Sequence, residues 1–127
     1  MQPEVGATRQ KGAMSEKPLL LLLDDNLLTA SRVQASLAPR YTVKLSRQLP
    51  AAALEPQAVV INLGSRSLGG LELIARSREQ YPSARVVGFC GHKEIEIRRA
   101  AKAASIARIF TNEEAHTGLP GLENVAT

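Results

Sequence analysis

From Leu19 onward the chain alternates short apolar runs with amphipathic stretches, and that alternation restricts its fold more than anything else in the sequence. Leu19–Leu23 is an unbroken run of five leucines with no polar position between them. A strand with one wet face would alternate, so this one reads as covered on both faces. Residues 58–63, 85–89 and 107–110 repeat the pattern, and residues 41–45 add a shorter strand. Between them the spacing predicts helices. The first runs from an Asn26 N-cap to about Leu37, with Ala30, Val33 and Leu37 on one face and Pro39 beyond its end. The second covers residues 71–80, closed by Tyr81 and Pro82, and the third covers 94–104, with Ile97, Ala101 and Ala104 turned inward. Residues 49–54 allow a short helix at most, ended by Pro56. Strands and helices in alternation, joined by short loops, give an α/β domain with a parallel sheet covered on both faces. Right-handed crossovers make a doubly wound five-stranded sheet the leading topology.

The two ends do not fit the alternation. Residues 1–18 are polar and without period and read as a disordered leader, and Gly12-Ala13-Met14 leaves open whether the first residues are native. Residues 19–112 form the domain proper. Residues 113–127 contain Gly118, Pro120 and Gly121 and no helical apolar stripe, so they read as an irregular tail and a fifth helix as degenerate or missing.

Composition excludes several function classes. The 127 residues suit one domain with a real core. Aromatic residues make up 3% of the chain, too few for a platform on which single-stranded nucleic acid could stack. The lone cysteine, Cys90, excludes an internal disulfide and a Cys-rich zinc site, which makes a cytoplasmic address the default. A membrane span needs about 20 apolar residues, and the leucine run is far shorter, so no membrane contact is expected. The net charge of +4 suggests acidic partners, though Arg9, Lys11 and Lys17 lie in the leader and most other cations alternate with glutamate.

In a doubly wound sheet, ligands bind at the carboxyl ends of the strands. The residues there are Asp24 and Asp25 after the first strand, Asn62 near the end of the third, Cys90 after the fourth and Thr111 after the fifth. Asp24 and Asp25 are the only aspartates in the chain. Adjacent carboxylates repel, so solvent or a cation must offset the cost. Helix capping, favoured by the macrodipole, is the alternative use for the pair.

Four segments, "LLLLLDDN", "VVINLGSRSLGGLELI", "RVVGFCGH" and "IARIFTN", resemble the receiver domain of bacterial response regulators over residues 19–111. The resemblance implies the flavodoxin-like receiver fold. It also implies that in working receivers the acid pair holds Mg²⁺, an aspartate on the third strand accepts a phosphoryl group from a histidine kinase, a Ser or Thr senses it and a Lys pairs with it. Asp24 and Asp25 match the acid pair. The acceptor position holds Asn62, the Ser/Thr position Cys90 and the Lys position Thr111. An amide is no phosphoryl acceptor, a thiol is a poorer donor than a hydroxyl, and Thr111 brings no cation. Mg²⁺ loses a hard oxygen ligand, so Asp24 and Asp25 are expected to bind it weakly at most, and no other cofactor is expected. The charge sum is unchanged, because three carboxylates and one lysine in a working site total −2, as do the two carboxylates here. Together these residues read as a degenerate phosphorylation pocket in a pseudo-receiver: a protein-interaction module of signal transduction or transcriptional regulation and not an enzyme.

Other readings remain open from sequence. The acid pair could hold a divalent ion and switch on another input. Cys90 with His92 two residues on could be an activated nucleophile, although no third orienting group can be named. His116 lies in the tail with no neighbour of chemical interest, and residues 65–70 read as a plain strand-to-helix connection. Arg98, Arg99, Lys102 and Arg108 gather on and after the last helix. Without a helix-turn-helix they suggest an acidic protein surface or a second copy of the chain as partner rather than DNA. The chain could also be the front segment of a longer regulator.

Overall fold

The computed structural model describes residues 17–50 and 54–126 of the chain. In chain order the elements are β1 (Leu19–Leu23), α1 (Leu27–Leu37), β2 (Thr42–Ser46), β3 (Ala58–Asn62), α2 (Gly70–Gln80), β4 (Arg85–Cys90), α3 (Ile95–Ala103), β5 (Arg108–Thr111), α4 (Asn112–His116) and a final 3-10 turn (Leu122–Asn124). The five strands form one sheet in the order β2-β1-β3-β4-β5, every neighbouring pair parallel. The chain leaves β1 toward one edge and returns on its other side as β3. The carboxyl ends of β1 and β3 therefore flank the point where strand order reverses.

The continuous apolar runs are explained by two cores, one on each face of the sheet. Leu20, Leu22, Val60, Phe89 and Phe110 point to the face covered by Val33 and Leu37 of α1. Leu21, Leu23, Val59, Ile61 and Val86 point to the face covered by Leu73 and Ile74 of α2 and Ala101 of α3. Successive residues alternate faces, so a strand apolar on both faces has no polar position to show.

Helix α1 forms as its sequence dictates. The Asn26 side chain accepts a hydrogen bond from Thr29 N at 3.2 Å, and Ala30, Val33 and Leu37 are buried. Helix α2 starts one residue earlier than its periodicity suggests, at Gly70, and α3 is one residue shorter at each end, with Ala101 buried and Ile97 and Ala104 packed against the same core. The short helix expected over residues 49–54 is not formed at 49, 50 or 54, and 51–53 lie outside the described residues. The expected leader also lies outside them, apart from Lys17 and Pro18.

The C-terminal segment differs most from its sequence reading. Residues 113–126 are integral to the fold: Ala115, Leu119 and Leu122 are fully buried and Val125 nearly so, all in the α1-side core. A five-residue helix, capped by Thr111, gives way to a turn through Gly118, Leu119 and Gly121, each with positive φ. The fifth helix is therefore degenerate, but its core-facing residues are present. They sit at helical spacing, and the intervening glycines and Pro120 conceal them.

Hydrogen bonds fasten this segment down. Ser36 Oγ donates to Ala115 O at 3.0 Å, and Arg85 Nε donates to Val125 O at 2.7 Å. Glu123 Oε2 accepts from Arg40 Nη2 and from the Tyr41 hydroxyl, each at 2.6 Å. Burial opposes ionisation of Glu123, but the Tyr41 hydroxyl and the Arg40 guanidinium outweigh it and hold the carboxyl below its usual range. A depressed carboxyl contributes stability that is complete above the unfolded value and lost as pH falls through the folded one. Thermal unfolding should thus show a stability loss below about pH 4.5 that Glu123→Gln makes smaller. Because Glu123 is exposed, the variant should cost only about 0.5–1 kcal/mol at neutral pH.

No helix among the described residues is long and apolar enough to cross a membrane.

Candidate functional site

Strands β1 and β3 end side by side, and Leu23 is register-paired with Ile61, so the next residue on each, Asp24 just past β1 and Asn62 at the end of β3, faces the other. Asp24 and Asn62, both buried, meet there. Asn62 Nδ2 donates to Asp24 Oδ1 at 3.0 Å, and Asn62 Oδ1 accepts Gly64 N at 3.0 Å. Both ends of the amide are used. Asp24 Oδ1 also accepts Asn26 N at 3.0 Å, while Asp24 Oδ2 is buried without a partner. The site thus needs a donor at position 62. A carboxylate there has none and would face Asp24 with like charge.

Asp25 is held differently. Ser65 Oγ donates to its Oδ1 at 2.5 Å, and Ser67 Oγ donates to its Oδ2. The Ser65 hydroxyl first, then that of Ser67, keeps the Asp25 carboxyl below its ordinary value. The aspartates do not cap α1, which is Asn26's work. Two hydroxyls from the β3–α2 loop, 40 and 42 residues along the chain, instead stabilise the Asp25 charge. The sequence reading missed both serines, because a loop's long-range target leaves no local period.

This donor set does not fit Mg²⁺ well. Both Asp25 oxygens are engaged by hydroxyls, Asn62 Oδ1 is engaged by Gly64 N, and one unpartnered carboxylate oxygen remains, on Asp24. Mg²⁺ keeps several waters and is commonly held by one or two carboxylates, so a single free carboxylate oxygen leaves room for weak binding only. Among the described residues no group of three or more His, Cys, Asp or Glu side chains is placed to hold a metal ion.

Cys90 and Thr111 stand level at the ends of β4 and β5 but do not join the acid pair. Cys90 is fully buried in the α2/α3-side core, where burial raises its thiol pKa; Arg98 lowers it and Glu94 raises it, without reversing the direction. Such a thiol is a small hydrophobe rather than a nucleophile, and His92 is exposed. Thr111 serves α4: its hydroxyl accepts Glu114 N at 3.1 Å and its backbone N donates to Glu114 Oε1 at 2.8 Å, a capping box. Of the five positions, Asp24 and Asn62 are joined by a side-chain hydrogen bond, while Cys90 and Thr111 make their contacts with the core and with α4.

Other side chains complete a cleft of about 500 Å³ at this end of the sheet. Thr29, Ser65, Ser67, Glu94, Asn112 and His116 help line it. His116, expected to have no neighbour of interest, is thus part of the site, brought there by α4. Glu94 turns back to accept Gly91 N at 2.9 Å.

No family model matches the chain, and no curated protein matches it by sequence. Solved structures do. The signal receiver domain of an HD domain-containing protein from Pseudomonas fluorescens Pf-5 superposes with a TM-score of 0.67 at 22% identity, covering 89% of this chain and 91% of that one. The N-terminal signal receiver domain of a two-component response regulator from Bacteroides fragilis gives 0.70 at 19% identity, covering 86% and 96%. The chain has the receiver fold. A response regulator from Burkholderia pseudomallei, with a phosphorylated aspartic acid, a calcium ion and citrate, gives 0.67 at 21% identity, covering 85% of this chain and 70% of that one.

On this receiver fold the four cations expected to form one basic face are not equivalent. Arg98 is half-buried: its Nε donates to Gly91 O at 3.4 Å, and its Nη2 is buried without a partner. Arg108 lies over the Phe110 ring at 4.3 Å and within 3.8 Å of Glu114 Oε2. Arg99 and Lys102 are exposed on α3. The face is therefore narrower and less basic than the count of cations implies.

Proposed function

We propose that the chain is a pseudo-receiver, a signalling module of receiver fold that acts through protein contacts and takes no phosphoryl group. The observation that carries this reading is the Asn62 amide, which donates to Asp24 at 3.0 Å where the resemblance would place the acceptor carboxylate. An amide nitrogen engaged as a donor has no lone pair for attack at phosphorus. Thr111 supports the same reading, since its hydroxyl is committed to capping α4 and brings no cation to the pocket. The exposed pair Arg99 and Lys102 offers a surface to an acidic protein partner or a second copy of the chain. A cytoplasmic address suits that role.

A magnesium titration followed through backbone amide shifts tests the reading. No saturable change is expected at residues 24–26 or 62–65 at millimolar Mg²⁺. The paired substitution Ser65→Ala with Ser67→Ala frees both Asp25 oxygens and should strengthen Mg²⁺ binding by about tenfold, given that charged-group hydrogen bonds contribute roughly 1.5–3 kcal/mol. Saturable shifts in the unaltered protein at micromolar Mg²⁺ would instead favour a divalent-ion switch.

A further inference from the structure

We propose that the outer edge of β2 is a docking site for an extended, acidic segment of a protein partner, which adds a strand to the sheet there. β2 pairs only with β1 and ends the sheet on that side. Thr42 N donates to Pro18 O at 2.9 Å, and Ser46 O accepts Asp24 N at 3.1 Å. By the period of two, Thr42, Lys44 and Ser46 therefore spend their backbone groups on β1. The N–H and C=O of Val43 and Leu45 point the other way, and among the described residues no backbone group pairs with them. A row of unpaired backbone groups is a template for another strand.

Folded chains usually blunt such an edge with a proline, a bulge or a covering element. β2 contains no proline, and its register with β1 runs unbroken from Leu19↔Thr42 to Leu23↔Ser46. Parallel strands are usually joined through a helix, yet the β2–β3 crossover is not helical at 47–50 or 54–57. The opposite edge, β5, is one residue shorter and runs straight into α4. Val43 and Leu45 turn toward the α1-side core and are half-buried, whereas Thr42 and Lys44 turn to the other face and are exposed. An added strand that continued this surface would repeat its alternation, apolar on the α1 side and polar on the other.

Charge selects the occupant. Residues 26–54 include Arg32, Arg40, Lys44 and Arg47 and no Asp or Glu. Arg40 is held by Glu123, and Arg47 lies near Asp25. Lys44, in the middle of the edge strand, has no ion-pair partner among the described residues. A carboxylate across the new ladder would supply one, and opposite charges on facing strands stabilise their pairing. A second copy, antiparallel and centred on the same residue, would instead set Lys44 against Lys44. This edge is at the other end of the strand order from α3, which carries Arg99 and Lys102, and its use does not depend on whether the chain takes a phosphoryl group.

Residue-resolved amide hydrogen exchange on the isotope-labelled chain reads the edge directly. Without a partner, the Val43 and Leu45 amides should exchange fast while those of Thr42, Lys44 and Ser46 are protected. The probe is a short synthetic peptide alternating valine and glutamate, with a valine–lysine twin as control. The glutamate peptide should slow exchange at Val43 and Leu45, and the lysine peptide should leave both unchanged. Lys44→Glu, at an exposed position, should weaken the glutamate peptide about fivefold and strengthen the lysine peptide by a similar factor. The alternating protection of β2 in that variant reports that it is folded. Val43 and Leu45 amides already protected without peptide would overturn the proposal, because the edge would then be occupied. So would equal binding of the two peptides, a Lys44→Glu variant with unchanged preference, or glutamate-peptide effects confined to residues 98–108. Protection of the edge that grows with protein concentration alone would also overturn it, since a second copy would then be the occupant.

Discussion

Asn62→Asp is expected to destabilise the protein by about 2–4 kcal/mol at pH 7, even though it restores the residue type that a working receiver is expected to carry. The change removes the donor to Asp24 Oδ1 and places a third carboxylate against two others, one of them buried with an unpartnered oxygen. Like-charge contact and burial both raise the carboxyl pKa of such a group. A carboxyl raised above its unfolded value binds more protons in the native state, so stability falls as pH rises through the native pKa. The deficit should therefore shrink on acidification toward pH 4–5, opposite in sign to the pH response of Glu123. Millimolar Mg²⁺ should restore much of the loss, because three carboxylates form a site that two carboxylates and an amide do not. Chemical denaturation at two pH values, with and without Mg²⁺, measures all three effects. A variant as stable as the parent and indifferent to Mg²⁺ would mean that position 62 does not face the acid pair.

Gly88→Ala should cost about 1–3 kcal/mol, and Gly88→Val more, through overpacking alone. Gly88 lies in the middle of β4 on the α2/α3 side, and a Cβ there would stand 2.5 Å from Leu63 Cδ1, 2.7 Å from Leu63 Cγ and 3.0 Å from Ile106 Cδ1. β4 is paired on both sides, so a backbone shift would also strain its ladders with β3 and β5. Leu63→Ala alone leaves a cavity and should cost about 2–5 kcal/mol. The double variant should be less destabilised than the sum of the singles, since the added methyl occupies the vacated space. Strict additivity would refute the contact. The site at Asn62 would feel these changes as well, because Leu63 follows it directly and its N donates to Phe89 O at 2.9 Å.

The sequence carries the parts of this fold that depend on local period. Helix α1 is legible to the residue because a capping asparagine, a three-residue apolar stripe and a following proline agree. The strand cores are legible because a sheet covered on both faces demands continuous apolar runs. The C-terminal segment was not legible, since Ala115, Leu119 and Leu122 keep a helical spacing while Gly118, Pro120 and Gly121 break the helix that would announce it. In the site, Asp24, Asp25 and Asn62 could be found from strand ends alone. Ser65 and Ser67 could not, because what matters is the carboxylate they reach across the sheet. Cys90 and Thr111 show the reverse case. They stand at the right strand ends, yet their side chains are claimed by the core and by a helix cap.

Incubation of the 127-residue chain with acetyl phosphate and Mg²⁺, followed by intact-mass spectrometry at neutral pH, bears most directly on the claim that the phosphoryl switch is absent. The account predicts an unchanged mass, with no difference between the parent and an Asn62→Ala variant. A gain of one phosphoryl group that hydroxylamine removes, the behaviour of an acyl phosphate, would contradict it.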